Sequence, residues 1–219
     1  MVKFIHFRDP HSEEMLTTLN SIPKSPGTCF FMDINRSTDL KYQGGIADWG
    51  RKLNNTFNFL LFANHFENYI VKGIGDEMML FISDEELQAS GRSFLSLLED
   101  IYSSLYTIQY HPNSGLFLEC KVAIHYCTEV YNITFFEGAN DYYGSDIDLT
   151  ARLMTKCIDR RIVMSEKFLL KIREDLAFKG LSEGAGLIPG ISQRQRTRFK
   201  GVPKATHYHY IDVNQNFND

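Results

Sequence analysis

Phe30-Phe31-Met32-Asp33-Ile34-Asn35-Arg36-Ser37-Thr38 decides how this chain is read. An aromatic-rich apolar run reads as a buried strand, and it stops on a carboxylate. A polar turn follows, and a long helical pattern comes after it. A strand that delivers an Asp beside the free amides of a helix start is suited to holding a metal and a polyphosphate. Any strand can end at Asp, so the next question is whether a second carboxylate arrives in a similar setting.

One does. Tyr69-Ile70-Val71 and Met78 to Ile82 are apolar runs separated by Lys72-Gly73-Ile74-Gly75-Asp76-Glu77, which reads as a hairpin with Asp76 near its tip. Asp33 and Asp76 at strand ends could share metal ions, and carboxylates with phosphate oxygens suit Mg²⁺ or Mn²⁺. The competing reading is that both residues merely cap turns.

Outward from these two runs the chain alternates irregularly. Residues 1–27 read as an irregular leader interrupted by Pro10, Pro23, Pro26 and Gly27, with a short helical pattern around Met15 to Leu19. Helical spacing runs from Trp49 to Phe66. Ser83-Asp84-Glu85-Glu86 has the form of a capping box, and the helix it starts carries Leu87, Phe94, Leu97, Leu98, Ile101 and Leu105 on its apolar side. Leu116 to Tyr126 reads as a strand with Val130 to Phe136 as its hairpin partner. A helix begins near Ser145, and Ile162-Val163-Met164 is a short buried strand. Ser165 caps a helix to about Glu174, residues 180–195 form a glycine-punctuated loop, and Tyr208 to Val213 closes the chain as a strand. Irregular alternation with hairpins predicts an α+β sandwich rather than a parallel sheet. The expected organisation is a leader at 1–27, one catalytic domain at 28–213 and a tail at 214–219.

Composition narrows the partners. The 219 residues carry a net charge of −4, which speaks against nucleic acid or an anionic membrane as the main partner. No apolar run approaches the roughly 20 residues of a membrane span. Cys29, Cys120, Cys127 and Cys157 form no C-x-x-C pair and read as reduced core thiols, so a cytoplasmic location is expected.

A second constellation is Asp141-Tyr142-Tyr143-Gly144-Ser145-Asp146-Ile147-Asp148-Leu149-Thr150-Ala151-Arg152. Asp148 and Arg152 lie four apart, on one face of a helix. An arginine fork suits a phosphoryl transition state, whereas the plainer reading is a surface ion pair with Asp148 in a capping box begun by Ser145. Arg194, Arg196, Arg198 and Lys200 read as a solvated basic loop, and His207 with His209 as structural residues on one strand face.

The segments CFFMDINRST, VKGIGDEMMLFI, KVAIHYCTEV, DYYGSDIDLTARL, IVMSEKF and FKGVPKATHYHYI resemble, in order, the core of class III adenylate/guanylate cyclase catalytic domains, over residues 26–213. The resemblance implies a ferredoxin-like α/β sandwich, mainly antiparallel with helices packed on the sheet. It implies two divalent metal ions, Mg²⁺ or Mn²⁺, on Asp33 and Asp76 with help from the Ile34 carbonyl. The amides of Asn35, Arg36, Ser37 and Thr38 would line the triphosphate, with Lys121 and Lys200 as phosphate contacts. Lys72 and Asp141 fall where adenylate cyclases select the base, Arg152 on the transition-state arginine, and Asp148 on a ribose-orienting position that is usually Asn. Family members act as head-to-tail homodimers with shared active sites, one protomer supplying the metal carboxylates and the other the base contacts and arginine.

The implied reaction closes a nucleoside triphosphate to its 3′,5′-cyclic monophosphate and pyrophosphate. Lys72 with Asp141 points to adenine and hence an adenylate cyclase. The stand-alone architecture and Asp148 resemble the bacterial pyrimidine cyclases of antiphage (Pycsar-type) defence, and the reading leans to UTP and cyclic UMP, a messenger read by a separate cyclic-nucleotide effector. The alternative from another class is an inactive nucleotide-binding dimer module, against which intact Asp33, Asp76 and Arg152 speak.

Overall fold

The structure is a computed structural model that describes residues 3–4, 13–110, 113–136, 139–158, 160–180 and 190–213. Its centre is β2 (Gly27–Ile34), the strand that ends in the opening motif. It pairs antiparallel with β4 (Glu77–Ser83) on one side and β5 (Cys120–Cys127) on the other, so both backbone edges are satisfied inside the molecule. The sheet is completed by β3 (Ile70–Ile74), β7 (Arg161–Ser165), β8 (Gln195–Thr197) and β9 (Thr206–Asp212), in the order β3-β4-β2-β5-β7-β9-β8. Within this seven-stranded sheet only β5 and β7 run parallel, and the chain between them includes helix α5 (Ser145–Met154). Parallel neighbours require such a crossover, and the remaining antiparallel pairs confirm the α+β expectation.

Strand alternation divides the core between two faces. Phe30, Met32, Ile34, Met78, Leu80, Val122, Ile124, Ile162 and Ile211 bury one face, together with α2 (Ser37–Phe62), α4 (Phe94–Tyr110) and α6 (Glu166–Phe178). Cys29, Phe31, Met79, Ala123 and Val163 point the other way, where Ile147, Leu153 and Met154 of α5 join them. Asp33, Lys121 and His125 follow the odd-numbered alternation and belong to the α5 face. All four cysteines are buried and free.

Several local expectations change. The capping box at Ser83 forms, with the Glu86 amide donating to Ser83 Oγ and the Ser83 amide to Glu86 Oε2, but its helix α3 stops at Ala89. Gly91 (φ 69°) breaks the run, and α4 starts anew at Phe94. The Trp49 helix begins much earlier, at Ser37, and bends at Gly45, whose φ of 75° lies outside helical space. Residues 130–136 are not the partner of β5, because β2 and β7 already occupy both of its edges. Only Ile133–Thr134 form a strand there (β6), and they pair in parallel with β1 (Lys3–Phe4). The expected leader thus contributes strand β1, and the helical pattern read around Met15 to Leu19 forms as α1 (Glu13–Ser21). Most of the 180–195 loop and the whole 214–219 tail lie outside the described residues. Among the described residues no helix is long and apolar enough to cross a membrane.

Candidate active site

At the end of β2, Asp33 stands opposite Glu77 of β4 and Lys121 of β5. The Lys121 ammonium lies 2.9 Å from Asp33 Oδ2. Asp76 occupies the β3–β4 turn, next to Glu77, and its carboxylate meets Lys41 Nζ of α2 at 3.6 Å. Glu77 is held above the usual carboxylate range by burial first and by the charges of Asp33 and Asp76, with Lys121 offsetting part of this. Negative charge is thus crowded where the strands end, a setting that a divalent cation would relieve.

Beside this crowd, Arg36 takes the left-handed conformation (φ 52°, ψ 30°) and turns the chain into α2. The first backbone hydrogen bond of the helix runs from Leu40 to Arg36, at 3.1 Å. The amides of the first turn before it have no helical acceptor and are available to an anion. The Asn35 amide is an exception, because it donates to the Glu119 carbonyl at 2.8 Å. That bond takes the Asn35 amide out of the expected triphosphate turn. The Asn35 side chain and Ser37 are buried, and among the described residues Asn35 Nδ2 and Ser37 Oγ find no partner. Buried polar atoms left unpaired at a free helix start fit a polar ligand there.

The donor set also fits the metals that the sequence resemblance implies. No cluster of three or more metal-binding side chains exists among the described residues. Two carboxylates with a backbone carbonyl leave positions for water and phosphate, the arrangement Mg²⁺ and Mn²⁺ adopt on nucleotides. Asp33, Asp76 and the Ile34 carbonyl would hold such ions.

A second charged group forms around Lys72. Its ammonium lies 2.8 Å from both oxygens of Asp141. The Tyr142 amide donates to Asp141 Oδ1 at 2.8 Å, and the Lys72 ammonium sits 5.9 Å from the Tyr143 ring centre. The segment is locked from both sides. Tyr143 exchanges backbone hydrogen bonds with Tyr131, and the Tyr142 ring stacks on Phe81 at 4.2 Å.

Helix α5 then begins at Ser145, with Gly144 as its cap, so the capping box expected from Ser145 and Asp148 does not form. Asp148 is exposed, and among the described residues no ion pair joins it to Arg152. The half-buried Arg152 instead approaches Gly201, where a Cβ would lie 3.6 Å from its Nη2. This brings Arg152 next to the turn that carries the exposed Lys200. Among the described residues no hydrogen bond or ion pair connects the Asp33–Lys121 and Asp76–Lys41 pairs with Lys72, Asp141 or Arg152.

The basic stretch read as a solvated loop is in part a strand, because Gln195–Thr197 form β8. Arg194 bonds Glu166 at 2.7 Å, Arg196 and Arg198 face solvent, and His209 Nδ1 meets the Ser192 carbonyl at 3.0 Å.

Sequence reasoning passed over Asp146. Its carboxylate accepts from the Thr128 amide at 2.6 Å and the Glu129 amide at 2.9 Å, lies 3.1 Å from His125 Nε2, and meets Lys167 at 3.3 Å. This ties the start of α5 to the end of β5 and so positions Arg152. Burial raises the Asp146 pKa, but the His125 contact and the two amides outweigh it and hold the carboxyl well below the ordinary range. A histidine inside the apolar run from Val122 to Cys127 was the available signal.

No family model matches the chain, and no curated protein matches it. Solved structures do. The adenylyl cyclase CyaB from P. aeruginosa superposes with a TM-score of 0.65 at 19% identity, over 91% of this chain and 100% of that one. The guanylyl cyclase Cya2 gives 0.61 at 15%, over 90% and 97%, and an adenylate cyclase of Trypanosoma brucei gives 0.63 at 16%, over 91% and 94%. The fold is therefore that of adenylyl and guanylyl cyclase catalytic domains.

Proposed function

We propose that the protein is a nucleotide cyclase that converts a nucleoside triphosphate to its 3′,5′-cyclic monophosphate and pyrophosphate. The observation that carries this reading is the crowding of Asp33 and Asp76 beside the helix start at Ser37, where Asn35 Nδ2 and Ser37 Oγ are buried without a partner among the described residues, on the fold just described. Bound divalent ions would supply acidity to the ribose 3′-hydroxyl and neutralise the triphosphate. The chain itself would bind phosphates through the Arg36, Ser37 and Thr38 amides, with Lys121 and Lys200 adding charge. Lys72 and Asp141 would grip the base edge, one donating and the other accepting. Arg152 would meet the charge that gathers on phosphorus, because a guanidinium keeps its charge and offers two donors in one plane. Asp148, one helical turn before Arg152, would contact the ribose.

Among the described residues no hydrogen bond or ion pair joins the two charged groups, which supports a head-to-tail homodimer. In it, the Asp33–Asp76 half of one protomer would face the Lys72–Asp141–Arg152 half of the other, completing two equivalent sites.

For the base we favour uracil, so the substrate would be UTP and the product cyclic UMP. Tyr143 supports this, since an aromatic ring beside the Lys72–Asp141 pair narrows the space for a purine. The second reading is ATP, favoured by the same pair as a donor and an acceptor for adenine. A role for the product as an antiphage second messenger, read by a separate effector, rests on the sequence resemblance to pyrimidine cyclases. Incubating the purified protein with Mn²⁺ and each of ATP, GTP, CTP and UTP, with products identified by mass, tests the activity and the base. Cyclic UMP as main product is expected. Cyclic AMP as main product would replace the base assignment, and no cyclic product from any triphosphate would end the enzyme reading.

A further inference from the structure

Both carboxylates of the proposed metal site carry a lysine, but the two lysines are held differently. Lys121 extends from β5 directly across from Asp33, and the ladder fixes its backbone. Lys41 belongs to the first segment of α2, ahead of the bend at Gly45, and reaches the hairpin turn at Asp76 from outside the sheet. Its ammonium is 3.6 Å from Asp76 Oδ1, longer than a hydrogen bond, and both side chains remain partly exposed. The same ammonium lies 4.2 Å from the ring centre of Trp49, beyond the bend. Trp49 packs against the core from the helix and is the only tryptophan in the sequence.

An ammonium placed between a carboxylate and an indole face has two attractions, of which one can be removed without leaving it unsupported. The Coulomb term favours Asp76, and the ring quadrupole favours Trp49. A divalent cation at Asp76 outcompetes a monovalent ammonium for the same oxygen and repels it. The indole face then retains the ammonium.

We propose that Lys41 is the displaceable counter-ion of Asp76, yielding the carboxylate to a divalent cation while it stays on the Trp49 ring. This rests on the metal half of the cyclase reading. It assigns to Lys41 a positioning role that the sequence motifs do not carry, namely setting the cation affinity of Asp76. It also makes Trp49 a built-in reporter, because the electrostatics at its ring change when Lys41 loses its carboxylate partner.

The experiment titrates the full-length protein with Mn²⁺, measuring free ion by electron paramagnetic resonance, and separately with diamagnetic Mg²⁺, following Trp49 emission. Wild type is expected to show a saturable emission change. Lys41→Met should bind Mn²⁺ about two- to fivefold more tightly, the factor a partly exposed ion pair is worth. It should also lose at least half of the emission change. Lys41→Arg, which keeps the charge, should stay within about twofold of wild type, and circular dichroism checks that each variant is folded. Wild-type Mn²⁺ affinity together with a wild-type emission response in folded Lys41→Met would overturn the proposal. So would equal tightening in Lys41→Met and Lys41→Arg, since the charge would then not be the cause. Asp76→Asn separates the two levels: if it binds Mn²⁺ as wild type does, the metal reading itself fails, and not the role of Lys41 alone.

Discussion

Lys72 Nζ is equidistant, at 2.8 Å, from the two carboxylate oxygens of Asp141, a residue 69 positions further along the chain. Asp141 is buried while Lys72 keeps part of its surface open, so the pair presents a fixed charge with one accessible side. If it reads the base, Lys72→Ala loses a charge-assisted contact worth about 1.5–3 kcal/mol, or roughly ten- to a hundredfold in kcat/KM. Asp141→Ala should cost a similar factor, and the double variant less than the product of the two, because each residue orients the other. Steady-state kinetics on all four triphosphates measures this. A shift in product ratio, beyond a common loss of rate, is the expected sign of base reading.

The proposed shared site predicts complementation. Asp33→Asn and Arg152→Ala should each lower turnover by at least about a hundredfold, as loss of a transition-state charge contact does. Mixing the two inactive proteins should restore about one quarter of wild-type activity. Half of the randomly formed dimers are mixed, and each mixed dimer holds one intact site of two. Activity of the mixture no higher than that of either variant would exclude the head-to-tail arrangement.

What could be read in the sequence was local. The aromatic run ending at Asp33, the Ser83 capping box and the Ser165 cap each lie within a few residues, and the structure forms all three. The misassigned stretch at 130–136 failed for a non-local reason: a strand's partner depends on which edges are already filled, and β2 and β7 fill both edges of β5. The site shows the same division. Asp33 and Asp76 announce themselves by their turns, whereas His125 with Asp146 and Lys41 with Asp76 are pairs made by folding. Spacing along the chain cannot disclose them.

Gly144 offers a test of how the base-contact segment is held. A Cβ there would lie 1.9 Å from the Glu129 carbonyl oxygen, with the backbone at φ 153°. Neither carbonyl nor helix start can yield cheaply, since the Glu129 amide is itself bonded to Asp146. Gly144→Ala is therefore expected to destabilise the fold by at least about 1–3 kcal/mol, the usual cost of overpacking. Urea denaturation would show a lower midpoint with unchanged slope. Gly50→Ala, where the added methyl meets nothing within 4 Å, should leave the midpoint at or above its wild-type value.

The buried link between His125 and Asp146 predicts how stability depends on pH. His125 is 1% exposed, and burial lowers its pKa below the ordinary 6.5 despite the opposing Asp146 carboxylate, with Lys167 lowering it further. The unfolded chain therefore binds a proton below about pH 6.5 that the folded chain refuses, so stability falls as pH drops through this range. Asp146 contributes in a lower window. Its folded pKa is depressed from 3.8, so its stabilisation is present above that value and is lost on further acidification. Below about pH 6.5 the wild type should take up protons on unfolding through His125, and its free energy of unfolding should decline accordingly. His125→Gln, which has no titrating group but keeps a donor for Asp146, should flatten that decline at some cost in stability at pH 8. Equal slopes for the two proteins, measured by urea denaturation at half-unit pH intervals, would mean that His125 takes up no proton on unfolding in this range.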